Sequence, residues 1–386
     1  MVVIIGNNIT ALSLSRFLEL NGVDHRRIST GNIKDITFYC CDSEDGMMAL
    51  AAEKLGYSVE QKPGHGFSVR TSLHRYKADR GADEFIRSLA DISGAGHEAA
   101  EAFSDTLSSI GAEWKLSVHS GFKVNTSPSS VMARNFMKDY SGYTEKLSDS
   151  DEWRKVLGAF VPKKDISLNT AAGYISGQVF DGSCHTGSLE HMAAWLINNT
   201  DPGKVIYVDS FDDITIDESS RTIDTGKGGK LNYDIIVEAS DTSKRSVRLM
   251  TMYVADKELD TDFEFIVPDK ADELGIIQMI RWSSGGFQRV DVYYDEKADE
   301  NEISACVSEM FSEAKVTEVV GYDELIKQYG CGDFAGWAFS CRDNMKNPVS
   351  CMKKDRIKIA GWGNAHFTAA LLGIKELEKS GVMERM

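Results

Sequence analysis

Proline is scarce in this chain. Six prolines in 386 residues, with no low-complexity tract, exclude long disordered linkers. Positive charge is also in deficit, with 43 Lys and Arg against 59 Asp and Glu, a formal charge of −16. Such a surface repels phosphate backbones and anionic lipid, so nucleic acid is not an expected partner. No apolar run approaches the ~18–20 residues that a membrane span needs. The amino terminus lacks a basic region and a cleavage site. The expectation is a cytoplasmic protein with no membrane span. The seven cysteines (40, 41, 184, 306, 331, 341 and 351) are irregularly spaced and contain no Cys-x-x-Cys. A structural zinc site therefore has no support, and no metal is expected. Cys40 and Cys41, in the apolar run "ITFYCC", read as small buried hydrophobes. Neither Gly-x-Ser-x-Gly nor His-Glu-x-x-His is present.

What is present begins at the amino terminus. Val2–Ile5 is a β-branched run ending at Gly6, as in a central parallel strand buried on both faces. Ile9, Leu12, Leu14, Phe17 and Leu18 recur at roughly helical spacing, and Asn21-Gly22 stops the helix. "DITFYCCD" then reads as the second strand of a βαβ unit, closed by Asp42. Dinucleotide-binding turns of this kind carry three glycines: for the tight turn, for approach of the pyrophosphate, and for helix–strand packing. Here the turn reads Gly6-Asn7-Asn8-Ile9-Thr10-Ala11. Gly6 keeps the first role and Ala11 is a small substitute for the third. Asn8 tolerates positive φ, fills space near the phosphates, and is able to donate to one. Asp42 is placed to accept from a ribose hydroxyl. Taken alone, the segment also fits a strand–turn–helix without a ligand, or an NAD(P) site.

Two further stretches extend the pattern. "GSLEHMAAWLINN" reads as a helix, "KVIYVDSFDDITID" as a strand, and the residues to "YDIIVEAS" as a hairpin followed by a buried strand. "RIKIAGWGNAHFTAALLGIKELEKSG" reads as a strand, a Gly-rich loop and a helix from about Thr368. In this order the three segments, residues 2–42, 187–240 and 357–375, resemble the flavin-dependent amine oxidase, protoporphyrinogen oxidase and phytoene desaturase superfamily. The resemblance implies an α/β fold in which a Rossmann-like FAD/NAD(P)-binding domain interleaves with a mixed-sheet α+β substrate domain. It implies FAD as cofactor, with Phe211 at the position where the family's strand passes the adenine. Gly361 matches a terminal-loop glycine, and Trp362 stands where the family has an Asp on the cofactor. Thr368 caps the last helix or contacts the cofactor. His366 falls near the flavin ring, and His74, with Arg75 and Tyr76, falls where the family places a loop near the active site. His185, Trp337 and Phe339 are further candidates for the cleft.

The sequence departs from the family at Asn8, at Gly46-Met47-Met48 in place of Gly-Gly-Arg, and at Trp362, and no flavin-facing lysine stands out. Beside a third option, an NAD(P)-binding protein, which fits the first βαβ unit but accounts poorly for the Phe211 and carboxyl-terminal segments, two functions follow. One is an FAD-dependent oxidoreductase that moves a hydride from a small or medium organic substrate. The other is a non-catalytic or cofactor-free binding module on the same fold. The length favours two domains. They are expected at 1–60, 187–245 and 345–386 for the dinucleotide, and at 61–186 and 246–344 for the substrate. The sequence does not define an oligomeric state.

Overall fold

The computed structural model describes residues 1–31, 39–42, 47–58, 62–78, 82–119, 127–135, 137–161, 166–180, 184–226, 229–239, 247–284, 286–311, 313–321, 350–353, 355–359 and 366–383. The chain opens with β1 (Val2–Ile5), α1 (Ile9–Leu20) and β2 (His25–Ser29). Next come β3 (Tyr39–Asp42), α2 (Met47–Leu55), β4 (Lys62–Pro63), β5 (Phe67–Arg70) and β6 (Arg75–Lys77). A helical stretch holds α3 (Ala82–Ser93), α4 (His97–His119), α5 (Val131–Arg134), α6 (Tyr140–Leu147), α7 (Asp151–Gly158) and α8 (Leu168–Tyr174). Short elements follow: β7 (Cys184–Ser188), α9 (Leu189–Asn198), β8 (Val205–Tyr207), β9 (Thr215–Asp217), β10 (Thr222–Asp224), β11 (Lys230–Asn232) and β12 (Ile235–Glu238). Longer strands then run as β13 (Val247–Val254), β14 (Phe263–Ile266), β15 (Ile276–Ser284) and β16 (Phe287–Asp295). The chain closes with α10 (Glu300–Met310), β17 (Lys315–Gly321), β18 (Ser350–Lys353), β19 (Arg356–Ile359) and α11 (His366–Lys379).

Six strands form the first sheet, in the order β18-β19-β12-β1-β2-β8. All neighbours are parallel except β18, which pairs antiparallel with β19. β1 lies inside this sheet. Val2, Val3 and Ile4 have no exposed surface, and each contributes about 1.5–3 kcal/mol by burial. Side chains alternate between faces along the strand. Val2 and Ile4 therefore pack with α1, α9 and α11. Val3 and Ile5 face the small antiparallel sheet β11-β10-β9 through Ile223, Leu231 and Ile216. The result is three layers: helices, a parallel sheet and a small β-sheet. Gly373 allows α11 to sit close. A Cβ there would lie 2.5 Å from Ile359 Cδ1 and 2.8 Å from Leu14 Cδ2.

The second sheet has seven strands in the order β17-β13-β16-β15-β14-β5-β6 and is mixed, because β14 pairs parallel with β5. One face packs on α3, α4, α7 and α8 through Phe67, Val69, Phe263, Phe265 and Trp282. The opposite face packs on α10, whose Ile303, Val307 and Phe311 meet Met250, Met252, Val290 and Val292. Leu249 and Tyr293 of this sheet join the core around α1, which ties the two sheets together. The fold is thus a Rossmann-like α/β unit interleaved with a mixed-sheet unit, the class expected from sequence. Among the described residues no helix is long and apolar enough to cross a membrane.

The βαβ unit differs from the expected one. Its second strand is His25–Ser29, which pairs parallel with β1, and not the run ending at Asp42. Tyr39–Asp42 belongs to a separate antiparallel sheet with β7 and β4. The physical reason is that "HRRIS" hides its polar groups against α1. His25 is fully buried, with Nε2 2.9 Å from Ser15 Oγ and Nδ1 3.0 Å from the Val23 carbonyl. A carbonyl only accepts, so Nδ1 carries the proton and Nε2 accepts from Ser15. Burial pushes the imidazole below its ordinary value, so the ring stays neutral.

Candidate functional site

The C-terminal edge of a parallel sheet is where α/β folds bind ligands. Here that edge is formed by the β1–α1 turn, the end of β2 and the end of β12. The Gly6 N–H donates to the Ile28 carbonyl at 3.1 Å, and the Ala239 N–H donates to Ile5 O at 2.8 Å. Gly6 is required by close approach, since a Cβ would lie 3.0 Å from Ala11 Cβ and 3.1 Å from Ala239 O. Ala11, fully buried, is the other half of that contact.

Asn8 is the N-cap of α1. Its backbone is extended, with φ −134° and ψ 175°, so the turn needs no positive φ at this position. Oδ1 accepts from the Ala11 N–H at 2.9 Å, and Nδ2 donates to Ala239 O at 2.6 Å. Both ends of the carboxamide therefore join β1, α1 and β12. The first turn of α1 contains no acidic side chain. Its amide dipoles therefore present an uncompensated positive end, as an anion site requires.

Asn7 and Ser29 complete the edge, and neither was singled out from sequence. Ser29 Oγ donates to Asn7 Oδ1 at 2.6 Å, and both residues are buried. Among the described residues Asn7 Nδ2, a buried donor, has no hydrogen-bond partner, and neither has the hydroxyl of Thr30. Ser29 closes β2 about twenty residues after the turn, where dinucleotide folds place an acid. Counting from Gly6 would have found it, had β2 been recognised. Two residues back on the same face, Arg27 is 5% exposed, with Nε and Nη1 unpartnered. Burial lowers the pKa of its guanidinium, opposed by Tyr207 and Glu19. These features fit a dinucleotide: a helix N-terminus with no acid in its first turn, unmade buried donors and a buried cation all suit anionic or acceptor groups.

The other sequence candidates are dispersed. Asp42 ends β3 in the separate antiparallel sheet. Phe211 begins a 3-10 turn, Phe211–Asp213, capped by Ser210, instead of sitting in a strand, and packs beneath the first sheet. The short β8 has already ended at Tyr207, and the capping box of Ser210 and Asp213 curls the chain. His366 is the first residue of α11, so Thr368 lies in its first turn and not at its cap. His185 lies on β7. Gly361, Trp362, Trp337 and Phe339 lie outside the described residues. His74 is exposed in the turn between β5 and β6, its ring 5.9 Å from that of Tyr76. Arg75 pairs with buried Glu264, and the Tyr76 hydroxyl donates to Glu152 at 3.0 Å. Burial first, and Glu152 second, raise the Tyr76 pKa well above its ordinary value.

The second sheet contributes one more polar constellation. Asp291 is buried on the face turned to the helices. It accepts from Thr251 Oγ1 at 2.9 Å, Arg289 Nε at 2.8 Å and Trp282 Nε1 at 2.9 Å. The Arg289 guanidinium also lies 5.0 Å from the Trp282 ring centroid. Among the described residues no cluster of His, Cys, Asp or Glu is placed to hold a metal ion.

Comparison with known proteins gives the fold its context. No family model matches the sequence, and no curated protein matches it. Solved structures do. Cyclohexylamine oxidase from Brevibacterium oxydans IH-35A superposes with a TM-score of 0.64 at 12% identity, over 100% of this chain and 98% of its own. Putrescine oxidase with putrescine bound gives 0.60 at 12% identity, over 98% of each chain. An oxidoreductase from Methanosarcina mazei gives 0.59 at 10% identity, over 97% of this chain and 99% of its own. The chain therefore has the amine oxidase fold over its whole length, as the sequence resemblance implied.

Proposed function

We propose that the protein is an FAD-dependent oxidoreductase of the amine-oxidase type, acting on a small or medium organic molecule. The observation that carries this reading is the β1–α1 edge: a helix N-terminus with no acid in its first turn, beside unmade buried donors, set in a full-length amine oxidase fold. The cofactor-binding unit is assigned to residues 1–60, 187–245 and 345–386, and the substrate unit to 61–186 and 246–344. The substrate would lie between them, where such folds form pockets.

FAD, if bound along this edge, would supply the hydride-accepting chemistry of the reaction. The chain's own residues position and exclude. Gly6 and Ala11 let α1 approach the strand so that its amides point at the pyrophosphate. Ser29, with Asn7, is assigned to the adenosine end, and Phe211 to the same half of the cofactor. In the C-terminal segment Gly361, Trp362 and Thr368 are assigned to the flavin half, where the N-terminus of α11 would favour negative charge. His366 is assigned to the flavin-proximal end of the cleft and His74 to the substrate side.

A second reading, a cofactor-free binding module, draws on Asn8, whose side chain occupies the loop where a glycine would leave room. A visible absorption spectrum decides between them, taken on the purified protein and again after incubation with excess FAD and desalting. Retained flavin bands are expected. A colourless protein after both steps refutes the flavin reading and favours the module.

A further inference from the structure

Dinucleotide folds ordinarily close their second strand with a carboxylate that accepts from the ribose hydroxyls. Ser29 stands there instead, and its hydroxyl donates to Asn7 Oδ1 at 2.6 Å, shorter than its 3.3 Å approach to the Gly31 carbonyl. That bond fixes the Asn7 carboxamide, so Nδ2 is turned away from Ser29. The residue is 1% exposed, and Nδ2 has no hydrogen-bond partner among the described residues. Buried donors are nearly always paired, and one left unmade is costly, so such an atom marks the place of a missing acceptor. The adjacent side chain cannot supply the contact, because Asn8 spends its own amide on Ala239 and Ala11. The N-terminus of the twelve-residue α1 begins two residues further on. An acceptor at this edge therefore meets both the helix dipole and the Asn7 amide.

We propose that Asn7 Nδ2 donates a hydrogen bond to an oxygen of the ADP half of the bound dinucleotide, with Ser29 as its positioning residue. This neutral pair replaces the usual carboxylate. The inference rests on the reading that the chain binds FAD.

The test titrates the full chain with FAD, following flavin fluorescence, and with ADP as competitor. Asn7→Asp is nearly isosteric and still accepts from Ser29, but presents an acceptor where the donor was. It is expected to weaken both FAD and ADP by at least ~10-fold, the range for a lost hydrogen bond to a charged or strongly accepting group. Ser29→Ala leaves the donor present but unfixed and is expected to weaken both ligands by a smaller factor. Asn7→Ala, read in the same way, serves if the Asp variant does not fold. A folded Asn7 variant with unchanged affinity for FAD and ADP overturns this inference and leaves the flavin reading standing. An unaltered protein that takes up neither ligand overturns both.

Discussion

Replacing Asn8 by glycine would write the family's second glycine back into the loop, yet it should destabilise the protein. Three costs add. Asn8 caps α1 through the Ala11 N–H. Exchanging an Asn cap for Gly costs a few tenths of a kcal/mol. Asn8 Nδ2 also satisfies Ala239 O in the buried seam between α1 and β12. Leaving a buried acceptor unmade costs ~1–3 kcal/mol. Glycine further increases the freedom of the unfolded chain, worth ~0.5–1 kcal/mol. The expected loss is about 2–4 kcal/mol. Urea unfolding followed by tryptophan fluorescence would measure it as a lower midpoint with an unchanged slope. Asn8→Ser separates the terms, because it keeps a capping oxygen and loses the bond to Ala239. It should recover the capping and unfolded-chain parts and keep only the loss of the bond to Ala239. An Asn8→Gly variant as stable as the unaltered protein would refute this account and would mean that the loop carries Asn8 for another reason.

Stability should also fall as the pH drops below about 6.5, the ordinary histidine value. Burial lowers the folded pKa of His25, so below that pH the unfolded chain binds the extra proton and is favoured. Ser15, Val23, Glu19, Asp24 and Lys204 surround the ring, and only Glu19 and Asp24 among the charges favour its protonation. Urea midpoints across pH 5–8 should show this slope, and His25→Gln should flatten it; an equal slope in the variant assigns it elsewhere. Gly373→Val should loosen the C-terminal helix, since a Cβ already crowds Ile359 and Leu14. The expected cost is ~1–3 kcal/mol, read as a lower thermal midpoint. A midpoint equal to that of the unaltered protein would show that these side chains yield without cost.

The parts of the fold that read clearly from sequence are those where side chain and environment agree. β1 is apolar and buried on both faces, and the helix after it is amphipathic. The turn at Gly226–Gly229 joins two short strands as the glycines suggested. β2 was illegible for the opposite reason. Its His, Arg and Ser are polar, and the burial of His25 and Ser29 depends on Ser15, Val23 and Asn7, which come together only in the folded chain. "ITFYCC" is more apolar and drew the assignment of the second strand to itself. The same limit hid Asn7 and Ser29, which lie 22 residues apart and acquire meaning only as a pair. Asp291 is a similar case, because its partners Thr251 and Trp282 lie on neighbouring strands. Phe211 was displaced by a capping box that ends the strand early. Composition carries no record of such contacts.

The seam between Asn8 and Ala239 has a consequence for how the protein is made. The two residues are 231 positions apart. A ribosome adding ~5–20 residues per second needs roughly 12–46 s to travel from one to the other. During that interval β1 is already outside the ribosome, four apolar residues with one sheet neighbour not yet synthesised. β19 and α11 arrive later still, among the last forty residues or so of the chain. The edge is therefore finished only after β12 and the Ala239 that follows it have been made, 231 residues beyond Asn8. Until then the nascent chain exposes a sticky strand that a chaperone, or another copy of the same chain, is able to seize.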